Sequence, residues 1–139
     1  MLPAILLVDD DPTTNFLSTR LLNRLGASEE VLVALNGAAA LQLLQQRCPA
    51  TAGVACPALV LLDVNMPVMG GFEFLEAYQQ LPAAKRQRTV IVMLTTSMLA
   101  ADRQRAEQLS VSGFLTKPLT RAKLAAVFGQ HFGLALPAA

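Results

Sequence analysis

Four groups of polar residues interrupt apolar stretches at places where chemistry is possible. They are Asp9-Asp10-Asp11 after Ile5-Leu6-Leu7-Val8, Asp63 after Leu59-Val60-Leu61-Leu62, Thr95-Thr96 after Met93-Leu94, and Lys117-Pro118 shortly after Gly113-Phe114-Leu115. Carboxylates held close together repel one another and raise each other's pKa unless a cation sits among them. A set of oxygen donors suits Mg²⁺ or Ca²⁺. Mg²⁺ takes one or two carboxylates, keeps several waters and completes its shell with phosphate oxygens, which fits phosphoryl transfer better than a calcium cage. An aspartate carboxylate is also a competent nucleophile and yields an acyl phosphate. The group in transit is stabilised mainly by positioned charge, so a lysine, a metal and a hydroxyl donor around one aspartate are the parts required.

Those residues act together only if the fold brings them together. Short apolar runs rich in β-branched residues predict five strands at 4–8, 31–35, 58–62, 90–94 and 113–115. Segments with helical spacing lie between them, such as Leu17, Leu21, Leu22 and Leu25, then Ala40, Leu41 and Leu44, then Phe72, Leu75 and Tyr78. A fifth helix is expected from Thr120 to about Phe132. Asp11 before Pro12 reads as an N-cap, Gly26 as a helix stop, and Asn36 and Thr120 as further caps. Strict βα alternation requires right-handed crossovers and a parallel sheet covered on both faces. The expected fold is therefore α/β, a doubly wound, flavodoxin-like sheet of five strands in the order 2-1-3-4-5. In such sheets the functional crevice lies outside the carboxyl ends of the strands, where all four polar groups fall.

Composition sets the remaining bounds. A chain of 139 residues, 53% apolar and 15% charged, fits one ordered domain and is not a disordered segment. No apolar run reaches the roughly 18 residues a membrane span needs, and the N-terminus reads as a first strand rather than a secretory signal. A net charge of +1 gives no general attraction to nucleic acid. Cys48 and Cys56 are expected to be reduced loop thiols, since nothing marks the chain for export. His131, the single histidine, reads as a surface residue, which leaves no histidine-based metal site.

The four motifs, in this order and spacing, resemble the response-regulator receiver family, of which CheY is the familiar single-domain member. The resemblance rests on Ile5-Leu6-Leu7-Val8-Asp9-Asp10, Leu61-Leu62-Asp63-Val64-Asn65-Met66-Pro67-Val68-Met69-Gly70-Gly71, Met93-Leu94-Thr95-Thr96 and Gly113-Phe114-Leu115-Thr116-Lys117-Pro118. It implies that Asp63 is the phosphoacceptor and Asp10 a direct Mg²⁺ ligand. Asp9 would act in the outer shell and the carbonyl of Asn65 would supply a further ligand. It further implies that Thr95 and Lys117 contact the phosphoryl group, with a cis Lys117-Pro118 bond, and that Phe114 is an aromatic switch coupled to Thr95. A histidine kinase or phosphotransfer protein would be the phosphodonor. Output would pass to a partner protein through the face of the fourth helix, fifth strand and fifth helix, where Arg103, Arg105, Arg121 and Lys123 suit an acidic surface. Residues 1–139 would form a single cytoplasmic receiver domain without an output domain, a monomer or a phosphorylation-dependent dimer, and not an enzyme in the ordinary sense.

Plainer readings weigh against each residue. Asp11 is a cap, not a ligand, and Phe114 alone would be core. Asp9-Asp10-Asp11-Pro12-Thr13 also satisfies Asp-x-Asp-x-Thr, the nucleophile motif of haloacid-dehalogenase-like phosphatases. Such an enzyme needs late carboxylates for its metal, whereas the last acid here is Glu107, and it would leave Asp63 unexplained. A pseudo-receiver that keeps the fold without phosphorylation is opposed by the intact set of acids, threonine and lysine.

Overall fold

The computed structural model describes residues 1–49, 51, 53–86, 89–96, 100–109 and 111–136. Five strands alternate with five helices: β1 (Leu2–Val8), α1 (Pro12–Leu25), β2 (Ser28–Ala34), α2 (Gly37–Arg47), β3 (Leu59–Asp63), α3 (Gly71–Gln79), β4 (Val90–Thr95), α4 (Ala100–Gln108), β5 (Gly113–Thr116) and α5 (Arg121–Val127). A single helical turn, Ala83–Arg86, precedes β4, and a π-helical turn, Phe128–Phe132, extends α5. The sheet is wholly parallel in the order β2-β1-β3-β4-β5.

Alternation along the strands divides the core in two. Leu6, Val8, Val60, Leu62, Ile91 and Met93 face one side and pack with Ala40 and Leu44 of α2, Phe74 and Leu75 of α3, and Ala106 of α4. Ile5, Leu7, Leu59, Leu61 and Val92 face the other, with Leu22 and Leu25 of α1 and Leu124 and Val127 of α5. Because the central strands β1, β3 and β4 must bury both faces, their apolar runs are continuous rather than alternating.

Caps end the helices where the sequence predicts. Asp11 accepts from the Thr13 amide at 3.0 Å, Asn36 from that of Ala39 at 2.8 Å and Thr120 from that of Lys123 at 3.3 Å. Gly26 closes α1 in the left-handed region. Four of the strands run longer than predicted, and β3 keeps its length but is shifted by one residue. β2 begins at Ser28 rather than Val31 because Ser28 and Glu30 pair with Leu2 and Ala4 of β1, and it stops at Ala34, leaving Leu35 exposed. Edge-strand pairing tolerates the two glutamates that masked this strand in the sequence. Among the described residues no helix is long and apolar enough to cross a membrane.

One expectation fails outright. Cys48 and Cys56 are joined in a disulfide. The intervening loop folds back through paired backbone bonds between Thr51 and Val54, while Arg47 bonds the carbonyl of Ala55 and the carboxylate of Glu30. This sets the two Cα atoms 4.8 Å apart. The expectation came from compartment statistics, which carry no information about that proximity. Closing so short a loop removes chain entropy from the unfolded state worth about 2–3 kcal/mol. Urea unfolding with and without a thiol reductant should show a loss of that order on reduction; coincident curves would mean that the sulfurs are not linked in solution.

Candidate functional site

Parallel strands deliver their C-terminal residues to one edge. Asp9 follows β1, Asp63 ends β3, Thr95 ends β4, and Lys117 follows β5. The ladder sets Asp63 beside Leu94 and Thr95 beside Thr116. Beyond Thr116 the Lys117 amide adds one more rung to the ladder, donating to the Thr95 carbonyl at 2.7 Å, and the Lys117-Pro118 bond is cis. The lysine side chain reaches across the ends of β3 and β1.

There it meets two of the acids. Lys117 Nζ lies 2.7 Å from Asp9 Oδ2 and 3.3 Å from Asp63 Oδ1. Asp9 is only 5% exposed and is held further by the Asp11 amide on Oδ1 at 2.9 Å. Its backbone carbonyl accepts from the side-chain amide of buried Asn15 at 2.8 Å. Asp63 Oδ1 also accepts from its neighbour's amide, that of Val64, at 2.9 Å. Asp10 is exposed, and its carboxylate makes no hydrogen bond or ion pair with another described residue. One carboxylate oxygen from each of Asp9, Asp10 and Asp63 lies within 4.8 Å of the others.

Three carboxylates against one ammonium leave the pocket two charges negative. Burial first, and the Asp9 charge second, push the Asp63 carboxyl above its ordinary value, although Lys117 and the Val64 amide oppose them. Burial draws the Lys117 ammonium down, but its bond to Asp9 and the two carboxylate charges outweigh that and raise it. The donor set is all oxygen and short of positive charge, which fits a divalent hard cation.

The loop after Asp63 is tightly constrained. The Gly71 amide donates to the Val64 carbonyl at 2.9 Å, and a Cβ on Gly71 would fall 2.5 Å from the Asp63 carbonyl oxygen. The Gly37 amide at the start of α2 donates to the Met69 carbonyl at 2.8 Å. Between these anchors the Met69 amide bonds the Pro67 carbonyl at 2.7 Å, with Val68 at the centre at φ 68°. This is the rare γ-turn with positive φ, a strained conformation for any side chain and more so for a β-branched one. Val68 is also 81% exposed, so no burial of its side chain offsets that strain.

A family model for the response regulator receiver domain matches residues 5–128. The chain belongs to that family. Over 135 residues it is 36% identical to the sensor protein GacS of Pseudomonas syringae pv. syringae, spanning 96% of this chain but only 14% of GacS. Over 129 residues it is 31% identical to a probable chemotaxis protein CheY of Rhizobium etli, spanning 93% of this chain and 92% of that protein. The solved structure of Vibrio cholerae chemotaxis protein CheY4 matches with a TM-score of 0.77 at 29% identity, covering 95% of this chain and 100% of that one. The flavodoxin-like fold is thus shared with CheY, and the chain is a receiver domain of the two-component signalling type. Receiver domains bind Mg²⁺ at an acidic pocket of the kind formed here by Asp9, Asp10 and Asp63.

The structure gathers Asp9, Asp10, Asp63 and Lys117 into one pocket, with Thr95 tied to Lys117 through the backbone. Asn65 shares a cleft with Asp10. Phe114 lies apart from the acids, half-buried against the core and under the Arg103 guanidinium at 5.1 Å. Asp11 takes its expected role as a cap, bonded also by the Thr14 hydroxyl at 2.8 Å, and it is not among the carboxylates that cluster with Asp9. Arg105 requires a correction. It does not join the face of α4, β5 and α5, because it pairs with Glu76 at 2.9 Å and stacks on Phe72 at 4.6 Å, both on α3. Helix phase decides this, and a count of basic residues does not contain it. Asn15 and Val68 went unnoticed in the sequence for a like reason, since an asparagine within a helix and a valine after Pro67 carry no local signal. Asparagine tolerates the left-handed region far better than valine, so Val68→Asn should raise stability by about 1 kcal/mol. A thermal melt that fell instead would show that the valine side chain contributes packing its exposure hides.

Proposed function

We propose that this receiver domain accepts a phosphoryl group on Asp63 from a histidine kinase or phosphotransfer protein and passes the signal to a partner protein. The observation that carries this reading is Lys117 Nζ spanning Asp9 and Asp63 inside a cluster of three carboxylates. Among the described residues the Val64 amide bonds Asp63 Oδ1 and the Lys117 ion pair falls on the same oxygen. Oδ2 is therefore the oxygen that attacks: its bond to phosphorus forms as the bond from phosphorus to the donor's imidazole nitrogen breaks, and the electron pair stays with the ring.

The remaining residues hold the incoming group. Lys117 leaves Asp63 to pair with a phosphoryl oxygen, and the Thr95 hydroxyl donates to another. Asp10, exposed and without a partner among the described residues, and the Asn65 carbonyl suit direct coordination. Asp9 is engaged by Lys117 and the Asp11 amide and acts from the outer shell. When bound, Mg²⁺ offsets the excess negative charge and screens the phosphoryl oxygens from the carboxylates. Phe114 follows Thr95 and alters the face of α4, β5 and α5, where Arg103, Arg121 and Lys123 remain for an acidic partner. We place the receiver domain in the cytoplasm, monomeric or dimerising on phosphorylation.

Two measurements test the assignment. Mg²⁺ with a small phosphodonor should add one phosphate by intact mass, and Asp63→Asn should abolish it; undiminished labelling would move the acceptor elsewhere. In thermal melts, Mg²⁺ should stabilise the protein by roughly 2.7 kcal/mol at a hundredfold excess over Kd. Asp10→Asn should raise the melting point of the metal-free protein by easing repulsion and lose most of the Mg²⁺ response, whereas Asp11→Asn should keep it. The reverse pattern would put the ligand one residue away.

A further inference from the structure

An open cleft leads from solvent to the acid cluster, with Asp10, Asn65, Pro67, Phe72, Glu73 and Arg105 among its walls. Among the described lining residues two are carboxylates and Arg105 is the one cation. Its guanidinium is held in place by the Phe72 ring at 4.6 Å and by one bond from Nη2 to Glu76 Oε1 at 2.9 Å. A guanidinium carries five N–H donors in a planar fork that matches phosphate oxygens, so most of them remain for another acceptor. Arg105 and Glu76 are both about half exposed, at 51% and 53%, so their pairing is weak and a dianion can compete for it.

We propose that Arg105 is a donor-binding residue that draws small anionic phosphodonors, such as acyl phosphates, into the cleft toward Asp63, and that Glu76 restrains it. The inference rests on Asp63 being the phosphoacceptor. The anion must pass Asp10 and Glu73 before it reaches the metal, and a fixed cation on the same wall lowers that electrostatic barrier. In the transfer, the bond from Asp63 Oδ2 to phosphorus forms and the donor's phosphorus–oxygen bond breaks, releasing its carboxylate with the electron pair.

Two variants separate steering from a structural tie between α3 and α4, because both delete the same ion pair. Labelling by subsaturating acetyl phosphate at fixed Mg²⁺ is followed by intact mass. Arg105→Gln should slow the initial rate roughly three- to tenfold at low ionic strength, with the gap narrowing as salt is added. Glu76→Gln, which frees the guanidinium, should raise the rate. Arg105→Lys should recover part of the loss. If both glutamine variants slow labelling and lower the melting point together, Arg105 is a tie and the proposal is overturned; rates equal to wild type in both overturn it as well. Absence of any labelling in the wild type would instead remove the reading of Asp63 on which this one stands.

Discussion

The arrangement depends on one imbalance: three carboxylates and one ammonium held at the end of a parallel sheet. Among the described residues Lys117 is the one cation paired with these carboxylates. Asp9 is fixed by its strand, by the Asn15 amide on its carbonyl and by Lys117 on its side chain, so it cannot turn away. Asp63 is fixed by the Val64 amide and by a loop so tight that a methyl group on Gly71 would collide with its carbonyl. The pocket therefore keeps a standing affinity for positive charge, and burial first and the Asp9 charge second hold the Asp63 carboxyl above its ordinary value. Such preorganised repulsion favours metal and phosphoryl together, since each reduces the electrostatic cost of the other.

The stability that tolerates this comes from the other end of the molecule. Two apolar layers clamp the sheet through alternate residues of β1, β3 and β4, and Arg47 and the disulfide fasten the loop that enters β3. Among the described residues the one positive-φ side chain lies beside the acid cluster: the γ-turn at Val68 falls within the loop between Asp63 and α3. That placement follows from the topology. Strand carboxyl ends must open into loops, and loops that present carbonyls to a ligand cannot also satisfy themselves in a ladder.

Much of this was legible in the residues. Strand ends could be read because buried parallel strands are continuous apolar runs that stop abruptly at Asp9, Asp63 and Thr95. Caps could be read because Asp11, Asn36 and Thr120 act on amides two or three residues away. What escaped was whatever depended on rotation or return of the chain. The side of α4 on which Arg105 lies, the meeting of Cys48 with Cys56, and the left-handed turn at Val68 are set by tertiary placement. The start of β2 escaped because Glu29 and Glu30 are acceptable on an edge strand and unlike the core strands.

The attachment of α4 explains how a single phosphoryl group could matter at a distance. Ala106 is its one fully buried side chain among the described residues, and its other described side-chain contacts include Arg103 over Phe114, Arg105 over Phe72 and the bridge to Glu76. Exposed cation–π contacts contribute about 0.5–1 kcal/mol each and a surface ion pair no more than about 1. These three contacts sum to roughly 1–3 kcal/mol, the same size as one or two hydrogen bonds to a charged group. A ligand shifts a conformational equilibrium only by its differential affinity for the two states. On the function proposed above, bonds from Thr95 and Lys117 to a phosphoryl group are of the same size as these contacts of α4, and the Arg103 stack on Phe114 is the contact through which a change at β5 would reach the helix.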